Sequence, residues 1–272
     1  MSGDDQQRDR RVAVAPRYVA GWNPNYHQQL RHLREQYGWS LALQNRGEDA
    51  RSPCSTARVF DFRWATRGPA LTIEVTADDH SPLWKAAISR NTPGEILLPV
   101  LTAVATAVRD EPAGHHGRPR PCTIAPDAWE PLPGWRLSHA DGSSWIHEAP
   151  DSLACLVVRS TASGPSDQEA GYSLHGGPGD SPRNWTARFS PTTPHGIVAA
   201  MYQAVAAPEP LVRFPEDVPP HHWPYAVVTA LAPPEPARSA AAALRSKAPP
   251  PRPAVATTAA GSPPPKARHR TR

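Results

Sequence analysis

The chain has 272 residues, of which 39% are hydrophobic and 20% charged, and its formal net charge is +4 at pH 7. This length predicts one or two domains with a sizeable core. The three cysteines, Cys54, Cys122 and Cys155, are odd in number and lack the spacing of a metal site, which excludes a disulfide framework and predicts free thiols in a reducing compartment.

The first eleven residues are polar and include three aspartates, so they resemble no signal peptide and are predicted to be disordered. The longest apolar run, 96–108, contains 13 residues and a proline, which is too short to span a bilayer. We therefore expect a cytoplasmic protein without membrane association. Residues 12–21 then predict a lead-in strand that ends in a turn, and the helical spacing within 25–37 predicts a short helix.

One stretch of the chain occurs twice. Residues 84–105 and 185–206 are identical at nine of 22 positions when they are aligned at an offset of 101, which indicates an internal duplication. The signature extends to a Gly-Trp pair near the start of each copy. Its members are Trp39 and Trp135, Trp84 and Trp185, Thr92 and Thr193, and Pro93 and Pro194.

Within each copy the spacing of the apolar residues changes from that of a strand to that of a helix. The stretch after Trp84 alternates as a strand does, whereas 96–108 has an apolar residue at every fourth position, as an amphipathic helix does. Between them, Thr92 to Glu95 predicts a capping box with a proline at the first helical position. Pro99 predicts a kink or a late start of the first helix.

The fold class expected from these patterns is α+β, with two tandem β-β-β-β-α units. Each unit is an antiparallel sheet with one packed helix. Because one helix covers only one face of a sheet, we expect the two units to pack face to face in a pseudo-twofold arrangement. The predicted strands are 38–43, 57–64, 71–76 and 84–89, then 134–139, 153–159, 172–175 and 185–190, and the predicted helices are 93–108 and 194–206.

The predicted organisation has five parts. A disordered N-terminus, 1–11, precedes a first repeat, 12–112, a proline-rich linker, 113–132, and a second repeat with a C-terminal extension, 133–232. The tail, 233–272, contains ten prolines and no aromatic residue and is predicted to be disordered. The tail carries a net charge of +7, so residues 1–232 carry −3.

The repeated motifs resemble the SPDY domain family, a domain of unknown function from high-GC bacteria that often occurs in tandem. The resemblance covers about 12–210 and is carried by the opener Ala15–Gly21, the Gly-Trp strand starts, the Ser52-Pro53 and Ala149-Pro150-Asp151 segments and the repeated tryptophan stretches. It ends at Asp110–Pro112 and Pro208–Pro210. Cys54 stands where the pattern has an aspartate. The resemblance implies the architecture and supplies no catalytic residues.

Several segments contain residue types that occur in metal, phosphate or catalytic sites but lack the spacing that such sites require. The pairs His115-His116 and His221-His222 have no suitably spaced partner ligand and are interpreted as solvated linker histidines. The glycine loop 176–181 and the equivalent segment 78–80 are interpreted as hairpin turns, because no helix follows that could hold a phosphate. Ser143, His147 and Asp151 lack a nucleophile elbow. We predict no catalytic residue, metal site or cofactor.

The nine tryptophans bear on function. The four with repeat partners are predicted to be buried, whereas Trp22, Trp64, Trp129, Trp145 and Trp223 are candidates for exposed anchors of a protein partner or for stacking on nucleic acid. The favoured hypothesis is a non-enzymatic cytoplasmic binding or regulatory protein with an unknown protein partner. The alternative is a nucleic-acid-associated protein that uses Lys266, Arg268, Arg270 and Arg272 of the tail. An enzyme with an unrecognised site is a third hypothesis.

Overall fold

The computed structural model describes most of the chain up to Leu231. Contacts divide the chain into two units, 1–233 and 234–272, and every described residue belongs to the first unit. The predicted disordered tail, 233–272, lies outside the described residues, as do 1–10 of the predicted disordered segment 1–11 and 113–128 of the predicted linker 113–132. The described ranges are 11–21, 26–44, 47–54, 56–61, 71–77, 79–110, 129–160, 170–179 and 184–231.

The described residues form a mixed α+β fold with three α-helices and two antiparallel sheets. The helices are α1 (Tyr26–Tyr37), α2 (Gly94–Asp110) and α3 (His195–Ala206). The strands before α2 are β1 (Val12–Ala15), β2 (Ser40–Gln44), β3 (Gly47–Arg51), β4 (Ala57–Asp61), β5 (Leu71–Thr76) and β6 (Pro82–Ile88). The later strands are β7 (Arg136–Ala140), β8 (Ser144–Glu148), β9 (Ala154–Arg159), β10 (Gly171–Gly176), β11 (Trp185–Phe189), β12 (Leu211–Arg213) and β13 (Val227–Ala230).

Ten strands form one continuous antiparallel sheet in the order β2-β3-β4-β5-β6-β11-β10-β9-β8-β7. Each half of the sheet is therefore a five-strand meander followed by a helix, and the predicted four-strand units are wrong by one strand each. Within the large sheet, the strands that the sequence did not predict are β3 and β8; β12 and β13 of the small sheet were not predicted either. In β3 only Ala50 lies opposite the inward-facing Val59, so this strand has almost no apolar pattern to recognise.

The two halves join edge to edge at β6 and β11. Ala87 pairs with Arg188, Ile88 with Ala187, and Ala86 with Phe189. Because Ala87 and Arg188 are equivalent at the repeat offset, this register has a local twofold axis through that pair. The predicted face-to-face packing is therefore wrong, because backbone hydrogen bonds between two sheet edges join the halves.

Two serines extend this junction on both sides of the axis. The backbone N–H of Thr186 donates to Ser89 Oγ at 2.8 Å, and the backbone N–H of Lys85 donates to Ser190 Oγ at 3.1 Å. In return, the N–H of Ser89 bonds to the carbonyl of Thr186 and the N–H of Ser190 to that of Lys85. The serine that ends each copy of the repeated strand thus satisfies backbone groups of the other copy.

All three helices lie on the same face of the large sheet. α2 contacts both α1 and α3, and α1 also contacts β2 and β3. The inward side of α2 is fully buried at Ile96, Leu97, Val100 and Leu101. The predicted late start of this helix is wrong, since α2 begins at Gly94 and continues through Pro99.

The N-terminal strand pairs with the end of the described chain. β1 lies between β12 and β13 in a three-stranded antiparallel sheet, so part of the predicted C-terminal extension packs on the body. The opener after β1 contacts the second half of the large sheet. Tyr18 Oη donates to Asp151 Oδ2 at 2.8 Å, and Trp185 Nε1 donates to the Tyr18 carbonyl at 3.0 Å.

A buried ion pair fixes β12 to the beginning of α2. Arg213 is 3% exposed and donates two hydrogen bonds of 2.7 Å to the Glu95 carboxylate. The capping-box prediction had assigned Glu95 to its own helix terminus. In the structure, its carboxylate holds a guanidinium from the other end of the chain, which gives this glutamate a tertiary role.

Candidate functional site

The face of the large sheet opposite the helices carries a mixture of charged, polar and apolar side chains, contributed by the alternate residues of each strand that point away from the helices. One row of residues crosses all ten strands on this face. It runs through Ala42, Asp49, Phe60, Thr72, Ala87, Arg188, Ser173, Val157, Ile146 and His139. We call this surface the helix-free face.

Five basic residues lie in this row or in the row beside it. Arg51 pairs with Arg58, Arg58 with Glu74, and Glu74 with Lys85, in a row that continues past Ser190 and Gly171 to Arg159. Arg188 belongs to the central row. We call Arg51, Arg58, Lys85, Arg159 and Arg188 the cationic band. The row on the other side of the axis contains Thr186, His175, Cys155, Glu148 and Arg136.

Two members of the cationic band form ion pairs with a single buried carboxylate. Arg58 donates two hydrogen bonds of 2.7 Å to Asp49, and Arg51 donates one of 3.2 Å to the same residue. Burial opposes ionisation of Asp49, but the hydrogen bonds and charges of Arg58 and Arg51 outweigh it and lower the pKa of Asp49. The guanidinium of Arg58 also lies 3.5 Å from the centre of the Phe60 ring.

The other three cations of the band form no ion pair within the part of the chain that the structure describes. Lys85 and Arg188 are exposed, and Arg159 is half-buried. Burial, together with the positive charges of Arg188 and Arg159, lowers the pKa of His175 between them. The only acidic residue in their rows besides Asp49, among the described residues, is the exposed Glu74. The helix-free face is therefore locally positive although residues 1–232 are net negative.

The repeat signature lies in the core. Trp39, Trp84, Trp135 and Trp185 are all buried, and Thr92 and Thr193 are fully buried beside the helix starts. Each threonine hydroxyl lies near the serine of the central junction, Thr92 at 3.5 Å from Ser89 and Thr193 at 3.2 Å from Ser190. Pro93 and Pro194 directly precede α2 and α3.

The tryptophans without repeat partners divide into two groups. Trp129 and Trp145 are buried, and Trp129 packs against Tyr172, His195 and Tyr202. Trp223 is 39% exposed and is the only one of these five that the described residues leave as a surface anchor. Trp22 and Trp64 lie outside the described residues.

One histidine of the second pair is buried, and both predicted turns connect strands. His222 is buried and its Nδ1 lies 2.9 Å from the Val19 carbonyl, so the interpretation of this residue as a solvated linker histidine is wrong. His115 and His116 lie outside the described residues. The backbone N–H of Ser81 donates to Asp79 in the turn between β5 and β6, as a hairpin turn requires. The glycine segment 176–179 begins the connection between β10 and β11.

Ser143, His147 and Asp151, the residue types of a catalytic triad, do not hydrogen-bond to one another. The Ser143 hydroxyl donates to Asp141, and Asp151 accepts from Tyr18 and from the backbone of Leu153. His147 is buried, and burial lowers its pKa. Its Nδ1 has no hydrogen-bond partner among the residues that the structure describes. Among the described residues, no group of three or more histidine, cysteine or acidic side chains could hold a metal ion.

The two cysteines that the structure describes are free thiols in different surroundings. Burial is the main reason why the pKa of Cys155 rises to about 11. Cys54 is exposed, and hydrogen bonds with Ser52 and Thr56 outweigh its partial burial and lower its pKa. Cys122 lies outside the described residues. Across the described ranges, no helix is long and apolar enough to cross a membrane.

A family model matches the second half of the body. Residues 148–211 match SPDY, which is described as a domain of unknown function (DUF317). These residues form an SPDY domain. No curated protein and no solved structure matches the chain. In the structure, the SPDY domain begins at the last residue of β8, contains β9, β10, β11 and α3, and ends at the first residue of β12.

The SPDY domain contributes Arg159 and Arg188 to the cationic band, and the equivalent part of the first half contributes Arg51, Arg58 and Lys85. Sequence reasoning missed the band because its members are far apart in the chain. One signal was present, however. Lys85 and Arg188 each alternate with apolar residues in a predicted strand, a pattern that places both side chains on the face opposite the buried one.

Proposed function

We propose that the protein is a non-enzymatic cytoplasmic binding or regulatory protein, built from two SPDY-like repeats, that holds an anionic partner on the helix-free face. The observation that carries this proposal is the set of three cations, Lys85, Arg159 and Arg188, that lack an ion pair among the described residues. Charged side chains on an open face are available for a partner at little cost in stability, and charge complementarity guides association.

The proposal that the chain contains two repeats is supported by the central register. Ala87 pairs with its own equivalent, Arg188, and the serine–backbone contacts of Ser89 and Ser190 are reciprocal. The two strand orders, read outward from this pair, are the same in both halves. A duplicated gene segment that fused two sheet edges would give this arrangement and would present one continuous recognition surface.

The non-enzymatic part of the proposal is supported by how the candidate side chains are used. Tyr18 is hydrogen-bonded to Asp151, Ser143 to Asp141, and Arg213 to Glu95. Groups engaged in this way stabilise connections between elements. Catalysis generally requires a cluster of groups that converge on one reacting atom.

A second function is proposed for the tail on the basis of its charge. Residues 233–272 contain eight basic residues and one acidic residue, and Lys266, Arg268, Arg270 and Arg272 alternate near the end. Such a segment can lie along a nucleic-acid backbone and neutralise phosphates regardless of base sequence. This tail-based binding is the alternative to binding on the helix-free face.

The experiment measures binding of the full chain to three anionic probes, heparin, polyglutamate and a 20-base-pair DNA duplex. Two backgrounds are used, the unmodified chain and a tail-neutral background in which Glu235 and all eight basic residues of 233–272, including Lys266, Arg268, Arg270 and Arg272, are replaced by glutamine. We compare the tail-neutral background with the band variant K85Q/R159Q/R188Q and with the control R31Q/R34Q/R109Q, both made in that background. The control removes the same number of charges from the helix side.

We expect at least one probe to bind in the tail-neutral background and to lose affinity in the band variant alone. If every probe binds the band variant and the control equally well, the helix-free face is not the recognition surface. If removing the tail charges abolishes all binding, the tail accounts for the affinity and the alternative function is correct.

A further inference from the structure

We infer that the partner on the helix-free face is a nucleic-acid duplex, held by its phosphate backbone along the cationic band without readout of base sequence. This inference rests on the function proposed above and specifies the chemistry of its partner. It concerns the face of the sheet and is independent of the tail.

The shape of the cationic band favours a linear polyanion. Its members lie on β3, β4, β6, β11 and β9, in a direction perpendicular to the strands. Six strand spacings of about 4.8 Å separate β3 from β9, so the band is about 29 Å long. Its three cations without an ion pair, Lys85, Arg188 and Arg159, span three of these spacings, about 14 Å. A duplex carries a phosphate about every 3.4 Å on each strand, and its backbone passes several phosphates over that length. A compact anion would occupy only one end of the band.

The residues between the cations favour nucleic acid over an acidic protein. Thr72, Ala87 and Ser190 are half-buried small or hydroxylated side chains that leave the backbone of a duplex free to approach. Protein interfaces contain a buried centre rich in aromatic and apolar residues, whereas interfaces with DNA are polar and positively charged. Phe60 is the single aromatic side chain in the central row, and the Arg58 guanidinium covers it.

The same composition favours a duplex over a single strand. Proteins that bind single strands stack successive bases on several aromatic side chains. Among the described residues of the central row and of the cationic band, the only phenylalanine, tyrosine or tryptophan is Phe60, and the Arg58 guanidinium lies over its ring. Phosphate contact without stacking is the mode by which proteins hold duplexes regardless of sequence, and its affinity depends steeply on salt.

The test is a salt titration of duplex binding by the full chain in the tail-neutral background, followed by fluorescence anisotropy between 50 and 200 mM salt. If Lys85, Arg159 and Arg188 each neutralise one phosphate, K85Q/R159Q/R188Q makes the slope of log affinity against log salt shallower by about 2.7. We also expect the affinity at 50 mM salt to fall by about tenfold or more. R31Q/R34Q/R109Q should keep both the slope and the affinity of the background protein.

Two competitors separate this inference from the broader function. A single strand of the same length and polyglutamate of matched charge should each compete less well than unlabelled duplex. If polyglutamate competes as well as the duplex and depends on the band, the inference is wrong although the proposed anionic partner remains. If the band variant binds the duplex with an unchanged slope, the band does not contact phosphates. Circular dichroism of each variant must show the thermal midpoint of the background protein.

Discussion

Tyr18 donates a hydrogen bond of 2.8 Å to Asp151, a residue 133 positions later in the chain. This bond ties the turn after β1 to the connection between β8 and β9, at the edge of the SPDY domain. Trp185 donates its indole N–H to the carbonyl of the same tyrosine. The opener of the chain therefore contributes to the stability of the second repeat.

The first prediction concerns this contact. Tyr18→Phe should lower the free energy of unfolding by about 1.5–3 kcal/mol, because the hydroxyl donates to a carboxylate. Burial and the hydrogen bond to Asp151 raise the pKa of Tyr18. Since its unfolded pKa is about 10, the stability from Tyr18 is fully present below pH 10 and is lost as the pH rises further. Urea unfolding at pH 7 and pH 10.5 measures both effects.

The matched control is Tyr225→Phe, because Tyr225 is half exposed. It should change the unfolding free energy by less than about 0.5 kcal/mol at both pH values. Equal effects of the two substitutions would contradict a specific role for the bond between Tyr18 and Asp151.

The second prediction concerns the repeated tryptophans. Trp84→Ala and Trp185→Ala should each cost about 3–5 kcal/mol, because both rings are buried. Trp185→Phe should cost more than Trp84→Phe, since the first also removes the hydrogen bond to Tyr18. Denaturant midpoints measure the order of the four variants. Trp223→Ala, at an exposed ring, serves as the control, and a midpoint shift as large as that of Trp84→Ala would be inconsistent with the burial described.

The third prediction concerns the central junction. Ser89→Ala and Ser190→Ala should each lower the free energy of unfolding by about 0.5–1.5 kcal/mol, because each hydroxyl accepts a backbone N–H of the opposite copy. Ser138→Ala is the control, since its hydroxyl lies on the exposed edge strand β7. Hydrogen exchange of the Thr186 and Lys85 amides provides a local readout. Unchanged exchange at these amides in the double variant would exclude the reciprocal contact.

The fourth prediction is a loss of stability in mild acid. Burial lowers the pKa of His147 and His222, and burial with nearby arginines lowers that of His175. A histidine with a lowered folded pKa stabilises the fold fully above its unfolded pKa of about 6.5, and this stability is lost as the pH falls below that value. We expect the denaturant midpoint to fall between pH 7 and pH 5, and His147→Phe to reduce the size of that fall.

His139→Gln is the control for the acid effect, because His139 lies on the exposed strand β7. Its pH profile should match that of the unmodified chain. The lowered pKa of Asp49 affects stability in a more acidic pH range. Its stabilising effect is lost only as the pH falls below about 3.9, the pKa of an aspartate in the unfolded chain. A profile that is flat from pH 7 to pH 5 would refute the assignment of neutral, buried histidines.

The strands and helices with a strong hydrophobic period could be predicted from the sequence. Leu71, Ile73 and Val75 alternate through β5, which the prediction placed at its observed bounds, and the apolar stripe of α2 gave a helix within two residues of the observed bounds. These elements are defined by a hydrophobic period that is contained within one short stretch of the sequence. The duplicated tryptophan stretches marked the two strands that meet at the centre.

The pairing of those two strands could not be predicted. Face-to-face packing and edge-to-edge fusion both bury Trp84 and Trp185, and the choice depends on hydrogen bonds between Ala87 and Arg188 that leave no hydrophobic signal. The cationic band depended on this choice as well. Arg159 and Lys85 lie on one face of a shared sheet only because the edges fuse, and in a face-to-face pair they would belong to separate surfaces.

The small sheet of β12, β1 and β13 has a consequence for the synthesis of the protein. β1 leaves the ribosome roughly 200 residues before either of its partner strands. At translation rates of about 5–20 residues per second, this strand waits about 10–40 s without a partner. The large sheet can pair progressively during that time, but the opener cannot be locked in place until β12 and β13 have emerged. A ribosome that stalls before Leu211 would therefore release a chain with an open N-terminal strand, which quality-control proteases could recognise.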